Sequence, residues 1–404
     1  MPELLSPAGN FEKLRAAILY GADAVYCAGQ MFGMRAAADN FTIEELYEAA
    51  KYVHERGKKI YVTVNTMPHV TEYPALRRFL QDIKGAGIDA LIVADLGVFS
   101  TVREILPEME IHVSTQASIV SPAAAKAYAA MGAKRLVLAR ELTMKEIQAI
   151  RRELPDDVEL EAFIHGSMCV SYSGRCLLAN AFNGRDGNRG TCSQPCRWNY
   201  SLVEEKRPDM LFPIEQQENV GTFIMSSKDM CMIDHIKQLQ DAGVDCLKIE
   251  GRAKSAYYAA IVTGAYRHAI DDVAAGRPID PVWRDEVEHV SHRIYSTGFY
   301  FGQPGQYTEH SRYIRQWQVC AIVESCDENG LALCSLRNKF SQGDILEAVG
   351  PDMRPFPFTV ADMWTEEKEA LDQPRTPQMK FYLQLPKQVP AMSILRHSVE
   401  LSGK

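Results

Sequence analysis

From Glu3 to Glu250 the chain alternates short apolar, β-branched runs with stretches in which apolar residues recur every third and fourth position. The first pattern predicts strands buried on both faces, and the second predicts helices that lay one apolar stripe against them. Eight strands are expected, at Glu3–Ser6, Ala24–Cys27, Lys59–Val64, Ala90–Ala94, Ile111–Ser114, Arg135–Ala139, Glu159–Ile164 and Cys246–Glu250. Between them, FEKLRAAILYG and TIEELYEAAKYVHERG read as helices stopped by Gly21 and Gly57. Such alternation belongs to a parallel α/β fold, and eight units over about 250 residues match a TIM-like (β/α)8 barrel. An open doubly wound sheet gives the same local pattern, but no glycine-rich dinucleotide fingerprint follows the first strand.

Polar residues gather just past the predicted strand ends: Ser6, Asn65, His69, Ser114, Gln116, Arg140, Glu141, His165, Glu250 and Arg252. A parallel barrel brings all of them to its C-terminal mouth, where barrel enzymes place their chemistry. Between the seventh and eighth strands, residues 166 to about 243 are too long for a barrel loop and read as an insertion. Within it a hairpin is expected, Asn199–Val203 against Thr222–Ser226, followed by a helix from about Asp229. Another helix runs on from Lys254, and YSTGFYFGQPGQYTEH reads as a linker. From about Tyr313 the period shortens to strands separated by turns, QVCAIVESC, LALCSLR, GDILEAV, FTVADMW and KFYLQLP, which predicts a small all-β barrel. The expected division is therefore a barrel over 1–275 with a cysteine-rich insertion at about 166–243, a linker over 276–310 and a β domain over 311–404.

Composition narrows the function. With 404 residues, 46% of them hydrophobic and 24% charged, the chain can bury one large core and one smaller one. Its opening, MPELLSPAGN, lacks a basic segment followed by an apolar run, and its longest apolar stretches, such as ALIVA around Ile92, are too short to span a bilayer. A soluble, cytoplasmic protein with no membrane partner is expected. A net charge of -8 excludes a protein that coats nucleic acid unspecifically, so any contact with RNA must be local. The predicted β domain is nearly neutral, with eleven Lys and Arg against twelve Asp and Glu, and its composition does not mark it as a nucleic-acid module.

Ten cysteines are present, and Cys169, Cys176, Cys192 and Cys196 fall within twenty-eight residues of the insertion. Thiols gathered on a glycine- and asparagine-rich loop, in a chain expected to stay reduced, read as soft-metal ligands rather than disulfides. The spacing C-x6-C-x15-C-x3-C matches neither a zinc ribbon nor a bacterial ferredoxin run. An iron-sulfur cluster, a zinc ion and plain thiols all remain open, although widely separated ligands suit the larger footprint of a cluster. Cys231, in SSKDMCMIDH, is an alternative ligand or a buried residue between two methionines. Residues 174–199 carry Arg175, Arg185, Arg189 and Arg197 against Asp186 alone. That charge serves either to compensate thiolates or to grip an anionic substrate or RNA phosphate.

The run EAFIHGSMCVSYSGRCLLA, with PELLSPAGN, GADAVYCAG, SSKDM and LKIEGRAKS, resembles the collagenase-like peptidase family U32 over essentially the whole chain. The signature departs at its end, where Ala179 replaces a usual serine and removes that serine as a nucleophile. HGSMCVSYSGRCLL, GTCSQPCRW, KIEGRAKSAYY and RNKFSQGDILE are most similar to the RNA-hydroxylating members. The resemblance implies hydroxylation of a wobble uridine in the tRNA anticodon at carbon 5. It further implies dependence on an iron-sulfur cluster, 4Fe-4S in type, and prephenate as the hydroxyl donor. Hydroxylation of a 23S ribosomal RNA cytidine, by members with much longer chains, and collagenase-like proteolysis are the alternatives. No G-x-S-x-G elbow or H-E-x-x-H pair supports hydrolysis.

A small dicarboxylate needs paired cations at the mouth, and Arg35, Lys248, Arg252 and Lys254 are the candidate substrate-binding residues. Arg140, His165 and Glu250 are the candidate catalytic groups. Each of the candidate cations is alternatively a structural ion-pair partner of Glu141 or Glu250, while His165 precedes the first cluster cysteine and could donate a hydrogen bond to a cluster sulfur or shuttle protons. Tyr172, Phe182, Trp198, Tyr257 and Tyr258 offer faces for an unpaired base, or else belong to the core.

Overall fold

The computed structural model of the chain describes residues 1–34, 39–198, 200–213, 227–305, 307 and 313–399. Its centre is a closed parallel barrel of strands Glu3–Pro7, Ala24–Ala28, Lys59–Val64, Ala90–Val93, Glu110–Val113, Arg135–Val137, Glu159–Ser167 and Cys246–Ile249. Each strand pairs with the next, and the eighth closes the ring, with Cys246 beside both Glu3 and Glu161. All eight lie where the apolar runs predict them. Central strands such as Ala90–Val93 are buried throughout because the surrounding helices cover their outer face. Those helices start on side-chain caps: Asn10, Asp95, Ser121 and Ser255 accept a first-turn N–H, and Thr42 and Thr143 form capping boxes with Glu45 and Glu146.

Three local expectations change. Strand Ser201–Glu204 of the insertion pairs with Arg207–Pro213 across a short turn; the expected partner, 222–226, lies outside the described residues. At Asp229 the chain forms not a helix but a strand, Asp229–Cys231, antiparallel to the end of the seventh barrel strand, and the helix begins only at Ile236. The burial of Asp229 against Arg293 fixes that segment, a pairing no local periodicity could signal. The stretch expected as linker carries helix Pro281–Glu288, capped by Asp280, and strand Tyr295–Ser296, which joins the barrel sheet beside Asp229.

The lower interior of the barrel is ionic. Arg135 reaches Glu3 at 2.6 Å, Glu159 at 2.6 Å and Glu161 at 3.4 Å, while Lys248 reaches Glu161 at 2.6 Å. The Tyr61 hydroxyl donates to Glu3 at 2.9 Å. Burial raises Glu161, but Lys248 and Arg135 outweigh that and hold it ionised.

Beyond the barrel, strands Trp317–Cys326, Leu331–Leu336, Ile345–Gly350, Met353–Thr359, Met363–Trp364, Lys380–Gln384 and Ile394–Ser398 form a separate seven-stranded antiparallel sheet. It is locked to the barrel layer by Arg396, which is fully buried. Its guanidinium meets Glu286 at 2.5 Å and Glu347 at 2.5 Å, and donates to the Tyr257 hydroxyl at 3.0 Å. Across the same junction the Tyr20 hydroxyl donates to the Met392 carbonyl at 3.0 Å. No described helix is long and apolar enough to cross a membrane.

Candidate functional site

The C-terminal mouth is assembled from loops that approach one another closely enough to require glycine. Gly9, after the first strand, lies against Arg252 after the eighth, where a Cβ would stand 2.4 Å from the Arg252 carbonyl oxygen. Gly166 turns the seventh strand into the insertion with φ +112°, and a Cβ there would stand 2.5 Å from the Glu250 carbonyl. Around this ring, Arg252 Nη1 donates to Thr63 Oγ1 at 2.9 Å. Arg140 lies over the Phe163 ring at 3.8 Å, donates to the Ser167 carbonyl at 2.9 Å and stands 3.9 Å from Glu250. Glu250 also accepts from the Tyr26 hydroxyl at 3.3 Å. Arg140 and Glu250 therefore meet at the mouth, and Arg252 stands on the same rim against Thr63 and Gly9.

The other candidates separate from them. Lys248 points into the barrel and pairs with Glu161. Lys254, though only two residues beyond Arg252, donates to the Ser291 carbonyl at 3.0 Å and lies 4.2 Å over the Tyr313 ring. Burial lowers its pKa from the ordinary lysine value, with Tyr313 and Asp229 opposing that shift. Arg35 lies outside the described residues. His165 sits in a cage of Tyr258, Tyr266 and Tyr295, with Nε2 3.2 Å from the Tyr295 hydroxyl and Nδ1 3.4 Å from that of Tyr266. Complete burial drops its pKa to about 3, so the ring is neutral near pH 7. Tyr258 is buried in the core and Tyr257 is half-buried against it, whereas Tyr172, Phe182 and Trp198 are exposed on the insertion, Phe182 edge-on to Trp198 at 6.1 Å.

Over this mouth lies the cysteine loop. Arg189 clamps it to the loop after the third strand, with bonds to both carboxylate oxygens of Glu72 at 2.6 and 2.9 Å and to the Met67 carbonyl at 3.2 Å. Gly174 rests on Gln116, after the fifth strand, where a Cβ would stand 3.3 Å from the Gln116 Cβ. Arg197 reaches the Met168 carbonyl at 3.5 Å and the Tyr313 hydroxyl at 3.3 Å. Helix Leu178–Asn183 and the short turns Gly187–Arg189 and Pro195–Arg197 space the four cysteines around the loop.

All four are free thiols, and the charges of Cys169, Cys176 and Cys192 all act on Cys196. The Gln194 N–H points at Cys192 Sγ at 3.3 Å, and the Cys176 N–H is held by Asn188 Oδ1 at 3.2 Å. Tetrahedral zinc requires thiolates ~3.8 Å apart, given its bond length. Yet among the described residues no three ligand atoms of this loop lie within 4.8 Å of one another. The four thiols share one loop, near enough that the other three act on Cys196, and Cys192 accepts a backbone N–H, a donor set that suits a soft metal or an iron-sulfur cluster. Cys231 stands apart: its sulfur lies 3.8 Å from the Tyr266 hydroxyl, and burial raises its thiol to about 11, against ligand duty.

The groups that sit beside these candidates carry little or no distinguishing signal in the sequence. Gln116 is just one of ten polar residues past strand ends in the sequence, but its buried side-chain amide finds no hydrogen-bonding partner among the described residues. Thr63, Asp229, Arg293 and Tyr313 carry no local signal either; they become partners of Arg252, of one another and of Lys254 only through the fold.

A parallel barrel whose C-terminal mouth is covered by a loop bearing four cysteines, with an antiparallel sheet fastened to its flank, defines a two-domain TIM-barrel protein. The chain belongs to peptidase family U32: that family's model matches residues 9–310, and the model of its C-terminal domain matches residues 315–396. It is 37% identical to tRNA hydroxylation protein P1 of Bacillus subtilis (strain 168), covering 98% of this chain and 94% of the relative. It is 38% identical to tRNA hydroxylation protein P of Escherichia coli (strain K12), covering 92% of this chain and 90% of the relative. To the 23S rRNA 5-hydroxycytidine C2501 synthase of E. coli it is 39% identical, over 68% of this chain but 40% of that relative.

Proposed function

We propose that this protein hydroxylates RNA, and specifically a uridine of the tRNA anticodon at carbon 5. The observation that carries this reading is the four-thiol lid closed over a cation-bearing barrel mouth. Hydrolysis of a peptide has no use for such a lid, whereas an oxidation does. The two relatives named for tRNA hydroxylation match both domains nearly end to end, which favours tRNA over ribosomal RNA as the substrate.

Cys169, Cys176, Cys192 and Cys196 would hold a cluster of the 4Fe-4S type, which when bound supplies one-electron chemistry next to the mouth. Converting C5–H to C5–OH with oxygen at the hydroxide level releases two electrons and one proton, so an external two-electron acceptor is needed besides the hydroxyl donor. A dicarboxylate such as prephenate is the hydroxyl donor in this reading. Arg252 and Arg140 are the cations placed to orient its carboxylates, because a guanidinium grips a carboxylate through two parallel bonds. Glu250 holds Arg140 in register, and His165 stays neutral within its cage of Tyr258, Tyr266 and Tyr295. Exposed Tyr172, Phe182 and Trp198 lie on the lid where unpaired bases would stack.

The test is nucleoside mass spectrometry of tRNA from a strain lacking the gene, complemented with the wild-type chain. Restoration of 5-hydroxyuridine supports the reading, and restoration of hydroxycytidine in ribosomal RNA alone overturns it. Iron and sulfide content of protein purified without oxygen tests the cluster separately.

A further inference from the structure

We propose that Gln116 reads the hydrogen-bonding edge of the target base, accepting its N3–H and donating to a flanking carbonyl oxygen; this deepens the reading of the site as a uridine hydroxylase and rests on it. Gln116 follows the fifth barrel strand, between the mouth and the cysteine lid, and is 4% exposed. Neither its Oε1 nor its Nε2 has a hydrogen-bonding partner among the described residues. Buried side-chain amides are nearly always satisfied, and one left open at both ends beneath a lid is a group that awaits a ligand. Nearby at the mouth, Arg140 Nε is likewise buried without a partner.

The residue is held firmly on the protein side. The Gln116 N–H faces Ser114 Oγ at 3.4 Å, and Thr115 Oγ1 donates to the Leu138 carbonyl at 3.0 Å. From the lid, Gly174 covers its Cβ and Cγ, and Ser118 Oγ donates to the Ser173 carbonyl at 3.5 Å. Only the amide head is left unengaged.

An amide presents one acceptor and two donors side by side. Its complement is a planar group with an N–H next to a carbonyl, and uracil offers this at N3 between O2 and O4. Gripping the ring through N3 leaves the C5–C6 edge on the far side, toward the chemistry. A carboxylate donor or a phosphate would offer acceptors alone and would leave Oε1 unmatched, so the amide is suited to the base and the arginines to the anion.

Two anticodon stem-loop RNAs, identical except that the target uridine is N3-methylated in one, are to be compared on the full, iron-loaded chain by binding affinity and by hydroxylated product. Wild type is expected to lose roughly 5- to 150-fold in affinity on N3 methylation, the range of one good bidentate base contact. Gln116→Met, which keeps the packing under Gly174, should bind the unmodified RNA more weakly by a similar factor and lose at most about 2-fold on methylation. Equal methylation losses in both proteins, or no loss in wild type, overturn the proposal. If Gln116→Met loses its iron, Gln116→Glu carries the test: it should weaken binding of the unmodified RNA, since a carboxylate would face the flanking carbonyl, and unchanged affinity overturns the proposal. Discrimination that depends on Gln116 without any hydroxylated nucleoside would keep the base reader and remove the reaction. Product formation with discrimination unchanged in the Gln116 variants would do the reverse.

Discussion

Inside the barrel Glu161 lies between Lys248 and Arg135, each within ion-pair distance, whereas at the mouth the Gln116 amide and Arg140 Nε face no partner among the described residues. Both regions are buried and polar, and both are built from strand residues or from those immediately following strands. The difference lies in how fully their bonding capacity is used. A buried ionic group whose partners are all supplied by the chain contributes to a single well-defined interior, and removing one member leaves the rest uncompensated. A buried polar group left open is tolerated where another molecule completes it. The barrel thus separates the groups that hold it together from the groups proposed to meet a substrate, with Arg135 at the start of the sixth strand and Arg140 just past its end.

The sharpest way to break this comparison is to treat the lower interior as if it were the mouth. Glu161→Leu strands Lys248 and Arg135 in the barrel and is expected to cost about 3–5 kcal/mol, the price of an orphaned buried charge. A denaturant melt followed by circular dichroism should show that loss, or no folded protein at all. A near-wild-type midpoint would mean the ionic floor is wet and relaxed.

At the lid the same size of chemical change should leave the fold standing. Cys192→Ala removes one of four exposed or half-buried thiols that make few packing contacts, so the barrel midpoint is expected to move by less than about 1 kcal/mol. Iron content should fall, together with the visible absorption of the cluster. Full retention of iron would exclude Cys192 as a ligand. Arg252→Leu lies between these extremes. It should keep its iron but lose product, by about the 1.5–3 kcal/mol of a charge-assisted hydrogen bond, or roughly 10- to 150-fold. Wild-type levels of 5-hydroxyuridine in a strain carrying that variant would place the anion site elsewhere.

His165 belongs with the satisfied groups, its ring held between the Tyr266 and Tyr295 hydroxyls. Its folded pKa of about 3 lies below the ordinary value near 6.5, so between those values the unfolded chain binds a proton that the native state refuses. Stability is therefore expected to fall as pH drops from about 6.5 toward 3. His165→Gln should flatten that limb of the stability profile. A rate profile with an inflection near 6.5 that vanishes in this variant would instead show a proton carrier.

How much of this is legible in the sequence follows from the range of each interaction. The eight strands are local patterns, and all eight fall where their apolar runs lie, because burial on both faces leaves an unbroken signature. The gathering of four cysteines on one insertion loop is legible directly, from their spacing. Arg140, Glu250 and Arg252 are legible once a barrel is assumed, since strand ends converge. What the sequence hides is direction: Lys248 and Arg252 lie four residues apart, but one points into the barrel and the other to its mouth. The strand at Asp229–Cys231 is hidden for a similar reason. Its pairing depends on Arg293, sixty-four positions away, and on the bend at Gly166. Proline-bearing Met353–Thr359 and the closing strand Ile394–Ser398 escape the alternation pattern that reveals the other strands of the β domain.

The smallest effect concerns the join between the two regions, the clamp from Arg189 to Glu72. Hydrogen bonds from Arg189, and then the His69 backbone N–H, hold the Glu72 carboxyl at about 2, well below its ordinary value of 4.5. A depressed carboxylate stabilises the folded arrangement at pH above about 4.5 and loses that contribution as pH falls through about 2. About a third of each side chain is exposed, so solvent screening reduces the pair to roughly the 0.2–1 kcal/mol of a surface bridge despite its bidentate geometry. Glu72→Gln should therefore leave the melting midpoint almost unmoved. Its effect should appear where the clamp acts, as release of iron to a chelator at neutral pH up to about 5-fold faster than wild type, the rate equivalent of the same energy. Raising the salt concentration should bring the wild-type rate toward that of the variant, because screening weakens an exposed pair and does not touch the thiolate bonds. Identical, salt-independent release rates in the two proteins would show that Gln116, Gly174 and the Met168 contacts hold the lid without Glu72.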